Sequence, residues 1–116
     1  MGQPEVEEAL SAMNLLDLRN RRAADMSAGQ KRRLGLARLL VTARPIWLLD
    51  EPTVSLDAAS VALFANVVRA HLAEGGMALM ATHIDLGLPE CEIFDIGQFK
   101  PREVSALVGG FDEAFL

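Results

Sequence analysis

Two adjacent carboxylates, Asp50 and Glu51, follow the apolar run Ile46-Trp47-Leu48-Leu49 and precede Pro52. An acid pair at the end of an apolar strand is pushed into a polar crevice. There the two acids can share the work of hydrolysis, the first helping to hold a magnesium ion against phosphate oxygens and the second orienting or deprotonating an attacking water. Acids are also common where a strand simply turns into solvent, so the pair alone leaves both readings open. A second candidate, Met26-Ser27-Ala28-Gly29-Gln30, opens a helical stretch. A helix N-terminus offers unpaired N–H groups and a positive dipole end; Ser27 adds a hydroxyl, and Gly29 lets backbone approach an anion closely. Ser27 and Gln30 also have the spacing of a capping box, a role they would fill with or without an anion. His83, after Ala81-Thr82, is placed to donate to a terminal phosphate and to sense its loss, although a lone histidine is more often structural. Asp57, in Ser55-Leu56-Asp57, would cap the next helix or reach a partner subunit.

The surrounding pattern says what must hold these groups. Val6, Ala9, Leu10, Met13 and Leu16 recur at helical spacing, which predicts an amphipathic helix over about Glu5 to Leu16. A second helix begins at Ser27, continues through Leu34, Ala37, Leu40 and Val41, and stops before Pro45. Ile46-Trp47-Leu48-Leu49 has no polar alternation, as expected of a strand buried on both faces of a parallel sheet. A third helix is expected from about Ala58 to Glu74, ended by Gly75-Gly76, with Met77 to Ala81 as the next buried strand. Strand, helix and strand form a right-handed parallel crossover, which brings Asp50, Glu51 and His83 to one carboxyl edge, where open α/β sheets bind ligands. Glu92 to Ile96 is a candidate further strand, His71 is expected on a helix surface, and residues 100–116 carry no strong period.

Composition narrows the class. The 116 residues are 51% hydrophobic and 23% charged, with apolar residues in short runs, a globular composition with a core of useful size. The longest nearly charge-free stretches are interrupted or too short for the roughly 20 apolar residues of a membrane helix. The acidic N-terminus lacks the pattern of a secretory signal, so a cytoplasmic location is expected. Cys91 has no second cysteine to pair with and no metal-ligand spacing to His71 or His83; a structural thiol is expected. Arginines and lysines gather between Arg19 and Arg44 while the net charge is −5, a balance that argues against general nucleic-acid binding.

Taken together, Met26-Ser27-Ala28-Gly29-Gln30, Leu48-Leu49-Asp50-Glu51-Pro52, Ser55-Leu56-Asp57 and Thr82-His83 resemble the signature motif, Walker B strand, D-loop and H-loop of ABC ATPases, in that order. The resemblance covers roughly residues 5–98. Within the family, the stretches Ser27 to Leu40 and Trp47 to Ser60, with the Asp-Glu-Ala-Phe tail, are similar to the ATP-binding subunits of the haem exporter of cytochrome c maturation. The resemblance implies an α/β fold of parallel strands and flanking helices, part of the P-loop NTPase architecture, with residues 1–98 as the C-terminal part of an ATPase domain and 99–116 as a tail. It implies Asp50 in the magnesium shell, Glu51 as catalytic carboxylate and His83 at the γ-phosphate. Ser27, Ala28, Gly29, Gln30 and Asp57 would belong to the contact with a partner's ATP. The implied partners are a second ATPase subunit, head to tail, and transmembrane permease subunits, at the inner face of the cell membrane. Met26 stands where the family usually has leucine, and Ala28 replaces a common glycine.

No stretch reads Gly-x-x-x-x-Gly-Lys-Ser/Thr, and the only lysines are Lys31 and Lys100. The expectation is therefore a piece lacking the Walker A half, inactive in ATP hydrolysis by itself. The alternative is a non-catalytic module that lends its signature motif to a partner; an ABC protein of repair or translation is a third reading, favoured only by the arginine cluster.

Overall fold

The computed structural model describes residues 2–89, 91–99 and 101. The first helix, α1 (Gln3–Ala12), starts with Pro4 in its first turn, where no intrahelical N–H is needed, and with the Glu5 carboxylate accepting from Gly2 N at 3.0 Å. It ends earlier than periodicity predicts. Asn14 takes a left-handed φ of 55° and turns the chain, so Met13 and Leu15 enter the core from the turn, both essentially fully buried, and not from a continuing helix. Leu16–Leu18 and Ala23–Asp25 are single 3-10 turns.

The second helix, α2 (Ala28–Thr42), is opened by the predicted capping box and closed by Ala43 at a left-handed φ of 52°, just before Pro45. Leu36 and Ala37 are its buried residues. Arg33 Nη1 reaches back to the carbonyls of Met13 at 3.1 Å and Asn14 at 3.2 Å, satisfying acceptors past the end of α1 and tying the first two helices together.

Strands β1 (Ile46–Asp50) and β2 (Met77–Ala81) pair in parallel, Ile46 opposite Met77 and Asp50 opposite Ala81. Between them runs α3 (Ala58–Ala73), with Phe64, Val67 and Val68 buried and Gly75 at φ 89° making the exit. The core gathers α1, α2, α3 and one face of the sheet around Phe64, Met13, Leu15, Val68 and Trp47. Complete burial of a side chain of this size contributes about 1.5–3 kcal/mol.

Four further expectations need correction. The strands are buried on one face only: Trp47 is 3% exposed, whereas Leu48 and Leu79 are 73% and 70% exposed, because among the described residues helices cover a single side of the sheet. Glu92 to Ile96 forms no strand; residues 92–95 are irregular and Ile96–Phe99 is a 3-10 turn. His71 is no free surface residue. Its ring stacks on Trp47, centroids 3.7 Å apart and planes within 5°, and its Nε2 lies 3.0 Å from Pro45 O and 3.2 Å from Met77 O. Carbonyls only accept, so this nitrogen carries the proton and bridges the starts of both strands. Cys91 is exposed, with no packing role for its thiol. The tail beyond residue 101, including Asp112-Glu113-Ala114-Phe115, lies outside the described residues.

Candidate functional site

The parallel register delivers Asp50 and Glu51 to the same edge as His83. Asp50 is the last residue of β1, and Glu51 N donates to Ala81 O at 2.7 Å, carrying the ladder one step past the strand. Glu51 itself has φ 46°, a left-handed conformation that a residue with a Cβ adopts at a cost of about 1–2 kcal/mol. The turn aims the Glu51 side chain at His83, with Nδ1 of the imidazole 3.1 Å from Oε1 of the carboxylate. His83 is 78% exposed and Glu51 39%, so the contact contributes at most about 1 kcal/mol and yields readily to a better partner. With Nδ1 donating to the carboxylate, Nε2 remains for a second partner. The other carboxylate oxygen, Glu51 Oε2, is buried and has no hydrogen-bond partner. A buried unpartnered oxygen is expensive, a cost that the surrounding turn must carry.

Ser27, Ala28, Gly29 and Gln30 form a separate feature at the N-terminus of α2. Ser27 Oγ accepts from Gln30 N at 3.1 Å, and Ser27 N donates to Gln30 Oε1 at 2.9 Å, so the capping reading holds and the first turn is rigidly shaped. Gly29 is favoured by space: a Cβ there would lie 3.0 Å from the backbone oxygen of Ser55, tighter than an ordinary contact. The glycine therefore lets the signature segment press against the loop that follows the acid pair. In that loop Ser55 also takes a left-handed φ, 69°. Asp57 caps α3, accepting from Ser60 N at 2.8 Å. Hydrogen bonds from the Ser60 side chain and then its backbone hold the Asp57 carboxyl below its ordinary range.

Sequence reading missed the residue that joins these two features. Arg32, one turn into α2, donates through Nε to Pro52 O at 3.2 Å and through Nη2 to Asp50 O at 3.3 Å and to Glu51 O in a very short contact. The only signal was the basic run Lys31-Arg32-Arg33 within the arginine- and lysine-rich segment between Arg19 and Arg44.

Among the described residues, no group of three or more His, Cys, Asp or Glu side chains is arranged to hold a metal ion by itself. Asp50 and Glu51 are two carboxylates, which matches magnesium's habit of binding through one or two acids together with substrate phosphates. The donor set thus fits a metal–nucleotide pair better than a bare ion.

Comparison with known proteins agrees with this layout. Residues 2–54, from α1 through the acid pair, match the family model of the ABC transporter. The chain is 68% identical over 112 residues to the cytochrome c biogenesis ATP-binding export protein CcmA of Rhodobacter capsulatus, covering 95% of this chain and 52% of that protein. It is 63% identical to the protein of the same name from Paracoccus denitrificans, covering 98% of this chain and 55% of the relative. The chain belongs to the ABC transporter ATP-binding family. The ABC fold is matched independently by a solved ATP-binding cassette of an ABC transporter in its ADP conformation, with a TM-score of 0.57, 25% identity, and coverage of 72% of this chain and 33% of that one. This ABC-family chain spans about half the length of the curated relatives it matches.

Proposed function

We propose that this chain works in ATP binding and hydrolysis by an ABC transporter of cytochrome c biogenesis, the haem exporter. The observation that carries the chemical part is the Glu51–His83 contact of 3.1 Å at the end of two register-paired strands, with the second oxygen of Glu51 buried and unpartnered. Asp50 would help hold magnesium, which when bound neutralises phosphate charge. Glu51 would orient the attacking water and take its proton on its carboxylate. His83 would turn its remaining nitrogen to the terminal phosphate. Ser27, Ala28, Gly29 and Gln30, with Asp57 in the neighbouring loop, would face the ATP of a second subunit packed head to tail. Permease subunits would anchor the pair at the inner face of the membrane.

No residue in this sequence supplies the phosphate-gripping lysine of a Walker A loop. We therefore expect no magnesium-dependent ATPase from the chain alone, and recovery of turnover when it is joined behind the P-loop half of the Rhodobacter capsulatus relative. In that hybrid, Glu51→Gln should abolish turnover while ATP still binds. Retained turnover would refute the assignment of Glu51. A second reading, a module that only lends its signature segment, is favoured by the fully formed capping box at Ser27 and Gln30. Turnover of the hybrid separates the two: this reading requires ATP-dependent association with a complete ATPase partner but no turnover from the hybrid's own site, and no effect of Glu51→Gln.

A further inference from the structure

Consecutive carbonyls along a strand point to opposite sides, so they cannot all meet one side chain while the strand continues. Yet the carbonyl oxygens of Asp50, Glu51 and Pro52 all bond to the guanidinium of Arg32. Their convergence is possible because Glu51 leaves extended geometry at φ 46°. In an extended chain, alternation would send the Glu51 side chain to the face that carries Trp47 and Leu49, away from its present contact with His83. The turn thus decides where the carboxylate points, and Arg32 is the group that gathers its oxygens. A guanidinium suits this role, with donors fixed in a planar fork on several nitrogens; an ammonium offers one point charge.

We infer that Arg32 is a positioning residue for the Glu51 carboxylate, holding residues 50–52 in the turn that sets it beside His83. The inference rests on the hydrolytic reading of Glu51 given above. Arg32 touches no reacting atom and acts through the backbone it binds. Because it lies five residues past Ser27 on the same helix, it also places the signature segment and the acid pair on one rigid support.

Two measurements test the inference. In the hybrid with the P-loop half of the Rhodobacter capsulatus relative, Arg32→Met should lower kcat by about 10²-fold, the scale of a small misplacement of a reacting group. The KM for ATP should stay within about twofold, since binding is not the affected step. Arg32→Lys, which keeps the charge but loses the fork, should fall by less, about tenfold. Unchanged kcat in Arg32→Met, with turnover abolished by Glu51→Gln, would overturn the inference alone; turnover surviving Glu51→Gln would instead overturn the hydrolytic reading. Independently of turnover, hydrogen exchange in this chain should show the Glu51 amide, which donates to Ala81 O, opening faster in Arg32→Met while the amides of Phe64 and Val68 stay protected. Equal protection of Glu51 in both proteins would also overturn it.

Discussion

The contact between His71 and Gly76 offers a measurement whose size can be worked out in advance. A Cβ added at Gly76 would lie 2.3 Å from His71 Cε1 and Nε2 and 2.6 Å from Cδ2, far inside contact distance. Something must move, and the backbone is pinned: Gly76 N donates to His71 O at 3.0 Å and Met77 N to Pro45 O at 2.8 Å. The imidazole therefore leaves in Gly76→Ala, giving up its stack on Trp47, worth about 0.5–1.5 kcal/mol, and its shared hydrogen bond to two carbonyls, worth about 0.5–1.5 kcal/mol. Gly76 is not in the left-handed region, so alanine is tolerated by the backbone itself and stiffens the unfolded chain, returning about 0.4–1 kcal/mol. The net expectation is a loss of about 1–2 kcal/mol. In a His71→Ala background the obstacle is gone, and the same substitution should be neutral or stabilising. Urea unfolding followed by the fluorescence of Trp47, the chain's single tryptophan, reads all four proteins of the cycle. If Gly76→Ala has the same effect in both backgrounds to within about 0.5 kcal/mol, the ring does not sit where it has been described.

Other outcomes follow from the same geometry. Trp47→Ala should destabilise by about 3–5 kcal/mol, while Leu48→Lys one residue away should change stability by less than about 0.5 kcal/mol, since Leu48 is 73% exposed; thermal unfolding of both variants checks which face of the sheet is covered. Gly29→Ala should lose about 1 kcal/mol or more and disturb the amide signals of residues 54–56, because the new methyl meets the Ser55 carbonyl and a backbone oxygen has little freedom to yield. For Asp57 the folded carboxyl is held below its unfolded value, so its contribution is present above about pH 4 and disappears as pH falls through the lowered value. Comparing wild type with Asp57→Asn, which can cap but does not titrate, should show an advantage at pH 6 that is gone in strong acid; a difference independent of pH would exclude this origin.

Much of this was legible along the chain, and the reason is range. The capping box, the stop before Pro45 and the cap of α3 depend on residues three apart, or on backbone limits of the residue itself. The parallel pairing was legible because two apolar runs joined by a helix have few other ways to bury themselves. That pairing in turn foretold the meeting of Glu51 and His83, 32 residues apart. Other features left no local trace. Arg32 looks like any helix-surface cation until its bonds, 18 to 20 residues away, are seen. The periodicity of α1 ran on past Ala12 because Met13 and Leu15 are buried by a turn that Asn14 makes, and apolar spacing cannot distinguish the two routes into a core.

The acid pair that closes an apolar strand shows the division most plainly. Residue types and order by themselves determined that Asp50 and Glu51 would sit at a carboxyl edge with His83, since strand polarity and crossover connection follow from local pattern. Only the tertiary structure decided how Glu51 points and which face of its strand is covered. A left-handed turn in a residue with a Cβ has no local driving force and needs outside support, here the guanidinium of Arg32. An apolar strand, likewise, states that it is to be buried, but the elements packed around it decide on how many sides that happens.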